Sequence, residues 1–410
     1  LRDDKTSNDI MAWMWPKLWT CGFPASVIAL VCGVRWIIVP LRSSKKSRKQ
    51  RQQLWDRRFI SESSSLPPVF PNGWIPVIES SELGVDEVKP LHVFGEDLVA
   101  FRTEDGVAHV MDAYCPHLGA HLGVMGRVVG NCIECPFHGW RFQADTGGCA
   151  HVPYANKTPS FVTVKTWTCR ELCGLVFVWF HADGEEASWE LDGPADVISG
   201  EMRQMARYET LCSGHPQDIA QKVADGAHLN SLHRATCLLP LEEFSRRPMD
   251  SWLCRLMALE WTASFSVADE RVSTSLAIQM SILGWKPRFA RCRGVVTQVG
   301  PALTLVSVRN IFGHFIAVVS ATPEAPFRTR IVHRSYGKPG LLSWLWCQAA
   351  ERGISNMMDR DVAVWSQKAF IKPVLLEEDD SIRQFREWYS QFYSCSSPTW
   401  QQVKEKSLSW

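Results

Sequence analysis

The hydrophobic and polar positions divide the chain into segments of different character, and the first of these is apolar. Residues 18–41 contain a single charged residue, Arg35, and a basic stretch begins directly after them at Arg42. About 20 apolar residues span a bilayer, and flanking cations mark the cytosolic side of a span. The pattern predicts a short segment 1–17, a transmembrane helix over 18–41 and a cytosolic remainder. The alternatives are a buried helix and a signal peptide, although a signal peptide carries its cations before the apolar run.

Short apolar runs broken by turn residues follow a basic linker at 42–70. Residues 91–94 and 98–101 predict the two strands of a hairpin, because both runs are β-type and the residues between them, at 95–97, are turn formers. Similar runs and turns continue along the chain until an acidic, Gly-containing break. We therefore expect an all-β domain over 71–185.

From about residue 200 the apolar runs become longer, and helical patterns appear among them. A helical pattern at 218–232 precedes several long β-type runs, and two further helical stretches occupy 341–370 and 380–394. The chain is therefore expected to be of the α+β class, with a second domain over 200–400 that combines strands and helices.

Composition narrows the classes of function that remain open. A length of 410 residues suits two or three domains. The 44 Lys and Arg residues balance 43 Asp and Glu residues, so no overall basic field indicates a nucleic-acid partner. The 14 Cys residues are too sparse for a disulfide scaffold. Most thiols are expected to be reduced, which leaves them available to bind metal.

Two Cys–His pairs in the first domain have the composition of a metal site. Cys115-Pro116-His117 is followed by Cys135-Pro136-Phe137-His138, giving the pattern C-x-H and then C-x2-H. A [2Fe–2S] cluster with two thiolates on one iron and two imidazoles on the other needs this set of ligands. A Cys2His2 zinc site uses the same residue types and is the alternative. The prolines after both cysteines, together with Gly119 and the segment 139–142, favour the cluster.

The segments 115–120 and 132–140 closely resemble the Rieske domains of Rieske non-haem iron oxygenases. The resemblance implies that Cys115, His117, Cys135 and His138 hold a [2Fe–2S] cluster. Because such a cluster alone only carries electrons, the second domain becomes the place to look for an acceptor.

The helical pattern of the second domain contains a second candidate site, Asp225, His228 and His233, spaced D-x2-H-x4-H. On an ideal helix His228 and His233 lie about 140° apart, so both imidazoles reach one metal only if the helix breaks near residues 230–231. Two His and one carboxylate form the facial triad of non-haem Fe(II) oxygenases, which leaves positions open for O2 and substrate. The alternative is that these are ordinary polar residues at a helix end.

The family resemblance implies roles for acids on both sides of this site. It places the third iron ligand at an acid just before an apolar-Trp segment, which favours Asp361 here, with Asp359 as the second choice. It also implies that Asp225 is an electron bridge rather than a ligand. In related enzymes the corresponding acid joins a cluster His to an iron His across a subunit boundary of a homotrimer.

Three further segments, 71–74, 227–233 and 386–393, resemble the Neverland-type cholesterol 7-desaturases of steroid-hormone synthesis, including ecdysteroid synthesis. This resemblance implies a helix-grip catalytic domain and an enzyme that uses O2 to introduce the 7,8 double bond of cholesterol, giving 7-dehydrocholesterol. The chain contains no G-x-G-x-x-G nucleotide fingerprint, so NAD(P)H electrons are expected to arrive through a separate reductase. A single-pass location in the endoplasmic reticulum membrane is the default expectation.

The chain departs from the family at two positions before the candidate iron site. Lys222 replaces a common Asn, and Val223 replaces a usual Gly. Lys222 is expected either to point to solvent or to disfavour metal binding nearby. Two alternatives therefore remain open: a sterol or ketosteroid hydroxylase, and a membrane-anchored Rieske electron carrier whose iron site has decayed.

Overall fold

The structure is a computed structural model that describes residues 66–408, apart from 236, 238, 250, 312, 370 and 372. The predicted transmembrane helix at 18–41 and most of the basic linker lie outside the described residues. Within residues 66–408 as described, no helix is both long enough and apolar enough to cross a membrane.

The first domain consists of short antiparallel strands, which confirms the predicted all-β class. The strands are β1 (Gly73–Glu79), β2 (Val88–Val93), β3 (Glu96–Arg102), β4 (Ala108–Asp112), β5 (Arg127–Val129), β6 (Cys132–Glu134), β7 (Arg141–Gln143), β8 (Cys149–His151), β9 (Thr166–Trp167), β10 (Cys169–Leu172) and β11 (Leu175–Phe180). They form three sheets with the orders β1-β11-β10, β2-β3-β4-β9 and β5-β6-β7-β8. The small β5–β8 sheet carries half of the candidate cluster ligands.

The predicted hairpin is β2 and β3, but its turn is tighter than the pattern suggested. Val93 pairs with Glu96, so the turn contains only Phe94 and Gly95. The difference arises because β3 begins at Glu96, a polar residue that propensity alone assigns to the turn. Gly95 has a φ of +77°, a conformation that glycine adopts without steric cost.

The second domain is a seven-stranded antiparallel sheet with helices packed against it. Its elements are α1 (Ala195–Ile198), β12 (Arg203–Cys212), α2 (Pro216–Ala220), α3 (Gly226–Leu232), α4 (Leu241–Ser245), α5 (Trp252–Leu256), β13 (Met257–Ala268), β14 (Arg271–Ile282), β15 (Arg291–Val299), β16 (Leu303–Asn310), β17 (Gly313–Ala325), β18 (Arg328–Gly337), α6 (Leu341–Trp365), α7 (Asp380–Ser390) and α8 (Trp400–Leu408). The sheet order is β12-β18-β17-β16-β15-β14-β13. Helix α3, which carries the candidate ligand His228, packs on β13 of this sheet.

Helices α6 and α7 pack on the sheet next to the segments that carry the candidate iron ligands. The long helix α6 packs on β12 and β18. Helix α7 buries Phe385, Trp388 and Tyr389 against Val223 and Val272, next to the segment that leads into α3. The helix predicted over 218–232 is interrupted, because α2 passes through a 3-10 turn and ends before α3 starts at Gly226.

A shared hydrophobic cluster and a buried carboxylate join the two domains. Trp74 and Phe177 of the first domain pack with Val318 and Tyr336 of the large sheet. Glu79, which is 2% exposed, accepts a hydrogen bond from Arg207 Nε at 2.8 Å, and Arg330 and Arg334 lie at 3.5 and 3.8 Å. Because a buried carboxylate needs such partners, these ion pairs fix one face of the Rieske-like domain on the other domain.

Candidate metal centres

Two loops at the tip of the small sheet place the Cys and His residues in matching geometry. Gly119 N donates to Cys115 O at 2.9 Å, and Gly139 N donates to Cys135 O at 3.0 Å. Both glycines have positive φ, +73° and +71°, which a side chain disfavours. The repeated turn explains why each Cys–His pair is followed by glycine, and it makes the loops two halves of one cradle.

The four side chains of these loops converge. Cys115 and Cys135 are both 2% exposed, and the rings of His117 and His138 are 4.6 Å apart between centroids. Burial and the adjoining Cys135 raise the pKa of the Cys115 thiol to about 11, so two neighbouring thiolates need a metal cation to compensate their charge.

One imidazole nitrogen in the cradle is poised for a ligand. His117 Nδ1 is buried and has no hydrogen-bond partner among the described residues. The His117 ring stacks on Trp140, with centroids 4.7 Å apart and planes 10° from parallel. A buried, unsatisfied nitrogen is costly unless it binds something. Two thiols, two imidazoles and this free nitrogen therefore fit a [2Fe–2S] cluster of the Rieske type.

The structure also brings together His228, His233 and Asp361, which are far apart in sequence. One ligand atom from each lies within 4.8 Å of the others, and His233 Nε2 is 2.9 Å from Asp361 Oδ1. Two ligands at a right angle, each about 2.1 Å from one ion, lie about 3 Å apart. His233 and Asp361 are both buried, and the set has the composition of the 2-His-1-carboxylate site.

The helix break that lets both imidazoles converge occurs later than expected. Helix α3 continues through residues 230–231 to Leu232, and His233 itself leaves the helix with φ −109° and ψ 4°. Asn230 does not break the helix, because its side chain binds the backbone of Trp261 in β13, donating at 2.8 Å and accepting at 3.0 Å. The two imidazole centroids are 5.2 Å apart.

Asp225 caps α3 and sets the orientation of the first imidazole. Its carboxylate accepts from the backbone N of His228 at 3.1 Å, and its carbonyl accepts from His228 Nδ1 at 2.5 Å. The carboxylate Oδ1 is 3.6 Å from Nδ1, so the carbonyl rather than the carboxylate holds the ring within this subunit. Placing the proton on Nδ1 leaves Nε2 of His228 for a metal. Burial alone would lower the pKa of His228, but Asp225 and Asp361 favour the charged imidazolium and together raise the pKa above its ordinary value.

The two candidate acids of α6 have different surroundings. Asp359 Oδ1 accepts from the Tyr208 hydroxyl at 2.5 Å, whereas Asp361 contacts His233. Residues two apart on a helix point about 200° away from each other, so only one of these acids can face α3. The geometry favours Asp361 as the ligand.

Arg360 is a contributor to this site that the sequence analysis did not single out. Its guanidinium donates to Leu232 O at 3.2 Å and to Leu239 O at 3.0 Å, and it lies 4.0 Å over the ring of Phe244. It therefore holds the chain on both sides of His233 against the helix that carries Asp361. In the sequence, the feature that could have indicated this role is the position of the arginine between two acids, Asp359 and Asp361.

Lys222 lies in the 3-10 turn that precedes α3, where the charge of Asp361 acts on it. Its ammonium is 5.8 Å from the centroid of Trp365, and its side chain is partly buried. Burial lowers the pKa of Lys222, while the charge of Asp361 acts in the opposite direction. Of the two expectations for Lys222, the structure favours the one in which the cation lies near the metal-ligand set.

Comparisons with known proteins agree with both candidate centres. Residues 73–166 match the Rieske [2Fe-2S] domain family, and residues 178–393 match the 3-ketosteroid 9alpha-hydroxylase C-terminal domain family. Cholesterol 7-desaturase nvd of Xenopus laevis is 34% identical over 405 residues, covering 93% of this chain and 87% of the relative. Cholesterol 7-desaturase nvd of Bombyx mori is 35% identical, covering 91% and 79%.

Among solved structures, dicamba monooxygenase bound to dicamba superposes with a TM-score of 0.58 at 16% identity, covering 83% of this chain and all of that one. At this identity the likeness concerns the fold. The Rieske family match and the curated relatives mean that this chain is an oxidoreductase that carries a [2Fe–2S] cluster and a mononuclear iron and receives NAD(P)H electrons through a separate reductase. The chain belongs to the Neverland-type cholesterol 7-desaturase family of Rieske oxygenases.

Proposed function

We propose that this protein is a cholesterol 7-desaturase, which removes hydrogen from C7 and C8 of cholesterol and yields 7-dehydrocholesterol for steroid-hormone synthesis. The observation that carries the proposal is one chain that combines a Cys–His cradle with a 2-His-1-carboxylate set, alongside relatives of that name over most of its length. The overall reaction balances when O2 is reduced to two waters. Two of the four electrons come from the sterol and two from NAD(P)H.

The residues of this chain would have distinct roles. Cys115, His117, Cys135 and His138 hold the [2Fe–2S] cluster, and His228, His233 and Asp361 hold the iron. When bound, the two metal centres supply one-electron transfer and O2 activation. Asp225 holds the His228 proton on Nδ1 through its carbonyl, which keeps Nε2 directed at the metal.

The electron bridge between centres is proposed to involve a second subunit. The tip that bears the cluster ligands exposes Leu118 and Phe137, which are 65% and 63% exposed and adjoin the ligand histidines. An apolar rim of this kind suits burial against a neighbouring protein surface. The Asp225 carboxylate remains partly exposed, with its Oδ1 3.6 Å from Nδ1 of His228. A homotrimer in which this tip meets Asp225 of the next subunit would join the two centres through one carboxylate.

The membrane arrangement is also part of the proposal. The apolar stretch 18–41 and the cations after it support a single-pass anchor with the catalytic part in the cytosol. An endoplasmic reticulum location would give the enzyme access to sterol within the bilayer. Helix-grip architecture of the second domain is supported by the long helix α6, which packs on β12 and β18 of a seven-stranded antiparallel sheet.

A sterol hydroxylase is the second candidate, because residues 178–393 match a family described by 3-ketosteroid 9alpha-hydroxylation. The electron-carrier alternative, which Lys222 suggested, conflicts with the intact set of His228, His233 and Asp361 and with the desaturase relatives. A carrier with a decayed site would hold only the cluster irons, so iron content separates it from both enzyme candidates.

Mass spectrometry of sterols from cells that express the chain with a compatible reductase and added cholesterol tests the proposal. A product lighter than cholesterol by two hydrogen atoms, with a conjugated 5,7-diene absorbance, is expected. A product heavier by one oxygen atom would identify the hydroxylase instead. Cells expressing the His233→Ala variant provide the matched background, since that variant lacks one proposed iron ligand.

A further inference from the structure

An apolar surface with basic surroundings lies at one end of the large sheet, and no part of the proposed metal chemistry uses it. Trp252 is 69% exposed, Leu283 is 66% exposed and Trp285 is 63% exposed, with Phe289 also exposed. We call this surface the Trp285 patch, defined by Trp252, Ile282, Leu283, Trp285 and Phe289. Exposed apolar patches of this kind mark interaction sites more often than chance clusters of side chains.

The backbone keeps the residues of the Trp285 patch together. Ile282 N donates to Trp285 O at 2.8 Å, and the rings of Trp285 and Phe289 are 6.1 Å apart in an edge arrangement. Leu283 N donates to Leu256 O at 3.1 Å, which joins this turn to α5. Trp252 lies one helical turn before Leu256, on the same face of α5. The helix that carries Trp252 is therefore joined directly to the turn that carries Leu283 and Trp285.

Positive charge is concentrated in the segment that carries four of these five apolar side chains. Residues 280–293 contain four cations and no acid, and all four cations are exposed: Lys286, Arg288, Arg291 and Arg293. Lys286 also pairs with Glu260 at 2.8 Å, and Arg291 donates to Gln279. A surface that joins Trp side chains to a local excess of cations complements the interface of an anionic bilayer, where Trp occupies the headgroup level and cations meet lipid phosphates.

We infer that the Trp285 patch is a membrane-docking surface, which inserts its apolar side chains into the headgroup region of a bilayer containing anionic phospholipid. It would hold the catalytic domain down on the membrane, in addition to any anchor at the N-terminus. The inference does not depend on the desaturation proposed above, because sterol turnover in detergent would proceed without it.

Photocrosslinking of the full-length holoenzyme in nanodiscs tests this inference. The probe is phosphatidylserine with a diazirine in its acyl chain, used as a trace in discs of phosphatidylserine and phosphatidylcholine or of phosphatidylcholine alone. We expect crosslinks to map to residues 280–293, with a higher yield in the anionic discs. Arg288→Gln is expected to lower the yield about fivefold, since each cation near such a surface contributes on that order. Trp285→Ser is expected to lower the yield in both kinds of disc.

Arg203→Gln is the matched control, because Arg203 is an exposed arginine on β12, at the opposite edge of the same sheet. It should leave the yield unchanged. The visible spectrum of the cluster reports whether each variant is folded. Absence of crosslinks in 280–293, or equal yields in both kinds of disc and in Arg288→Gln, would overturn the inference. Crosslinking between two protein copies through this segment, independent of lipid charge, would assign the patch to a second copy and would also overturn it.

Discussion

At the scale of single residues, Lys222 is the feature that most distinguishes this site. The charge of Asp361 acts on its ammonium, so the ammonium competes electrostatically with a ferrous ion for the same carboxylate.

We expect Lys222→Asn to strengthen ferrous ion binding about fivefold to tenfold, because a like charge leaves the vicinity of the metal. Metal titration of the iron-depleted protein measures the change. Lys338→Asn is the control, because Lys338 is an exposed lysine paired with Glu201. Unchanged or weaker binding in Lys222→Asn would show that the cation does not act on the metal site.

Asp225 has two proposed roles: it caps α3 next to the iron site, and its carboxylate carries electrons between the two metal centres. Asn is as good a helix cap as Asp, and the carbonyl that holds His228 is unaffected by the side chain. Asp225→Asn is therefore expected to retain both metal centres and substrate binding while slowing electron delivery. Stopped-flow absorbance should show a cluster that stays reduced after O2 and sterol are added. Loss of the mononuclear iron in this variant would make Asp225 a structural residue or a ligand, and normal turnover would refute the bridge.

At the scale of elements, α6 does more than carry Asp361. Through Arg360 it binds the last carbonyl of α3 and the carbonyl of Leu239, and Asn356 donates to Cys237 O at 2.8 Å. These contacts hold the segment after His233 against the helix that provides the third candidate ligand. The geometry of the triad thus depends on how two elements are fastened together, as well as on the ligands.

Arg360→Met keeps most of the side-chain volume and removes the donors. We expect it to lower the free energy of unfolding by about 2–3 kcal/mol, as for hydrogen bonds from charged groups, and to weaken ferrous ion binding while the cluster spectrum stays intact. Arg360→Lys should restore binding only in part, since a lysine cannot reach both carbonyls with a planar fork. Arg352→Met, on the same helix, controls for loss of a guanidinium. An Arg360→Met variant that binds iron like the parent would refute this role.

The β5–β8 sheet depends on a carboxylate between two arginines. Glu134 in β6 accepts from Arg127 and from Arg141, each at 2.8 Å. Burial alone would raise the pKa of Glu134, but the hydrogen bonds from Arg141 and Arg127 hold it below its ordinary value of 4.5. Because the pKa is depressed in the folded state, the stabilisation is complete above pH 4.5 and is lost as the pH falls further.

Glu134→Gln is expected to destabilise the cluster-binding domain by about 1–2 kcal/mol near neutral pH, a value reduced by the solvent exposure of both arginines. The difference in unfolding free energy between this variant and the parent protein should shrink as the pH falls below 4.5. Cluster absorbance during urea unfolding over a pH series measures it. Glu190→Gln removes an exposed partner of Arg170 and should have no effect. A difference that stays constant with pH would mean that the ion pairs are not its source.

At the scale of the whole molecule, the sequence predicted what depends on local spacing and missed what depends on topology. The Cys115–His117 and Cys135–His138 pairs are short motifs, and in the structure the rings of His117 and His138 lie 4.6 Å apart between centroids. The helix ends at Leu232, close to the predicted break near residues 230–231, but the contact between Asn230 and Trp261, which lies 31 residues away in the chain, was not predicted. Arg360 was missed because its partners are backbone carbonyls, which no sequence pattern marks. Asp361 was reached only through family resemblance.

Iron content per chain tests the central claim most directly, namely that one chain holds both a Rieske cluster and a mononuclear iron at the residues named above. We expect about three irons in the purified parent protein, two in the cluster and one at the triad. We expect about two irons in His233→Ala with an unchanged cluster spectrum, and about one iron in Cys135→Ser, in which that spectrum is lost. A parent protein with only the cluster irons, or a His233→Ala variant that keeps the full iron content, would contradict the account.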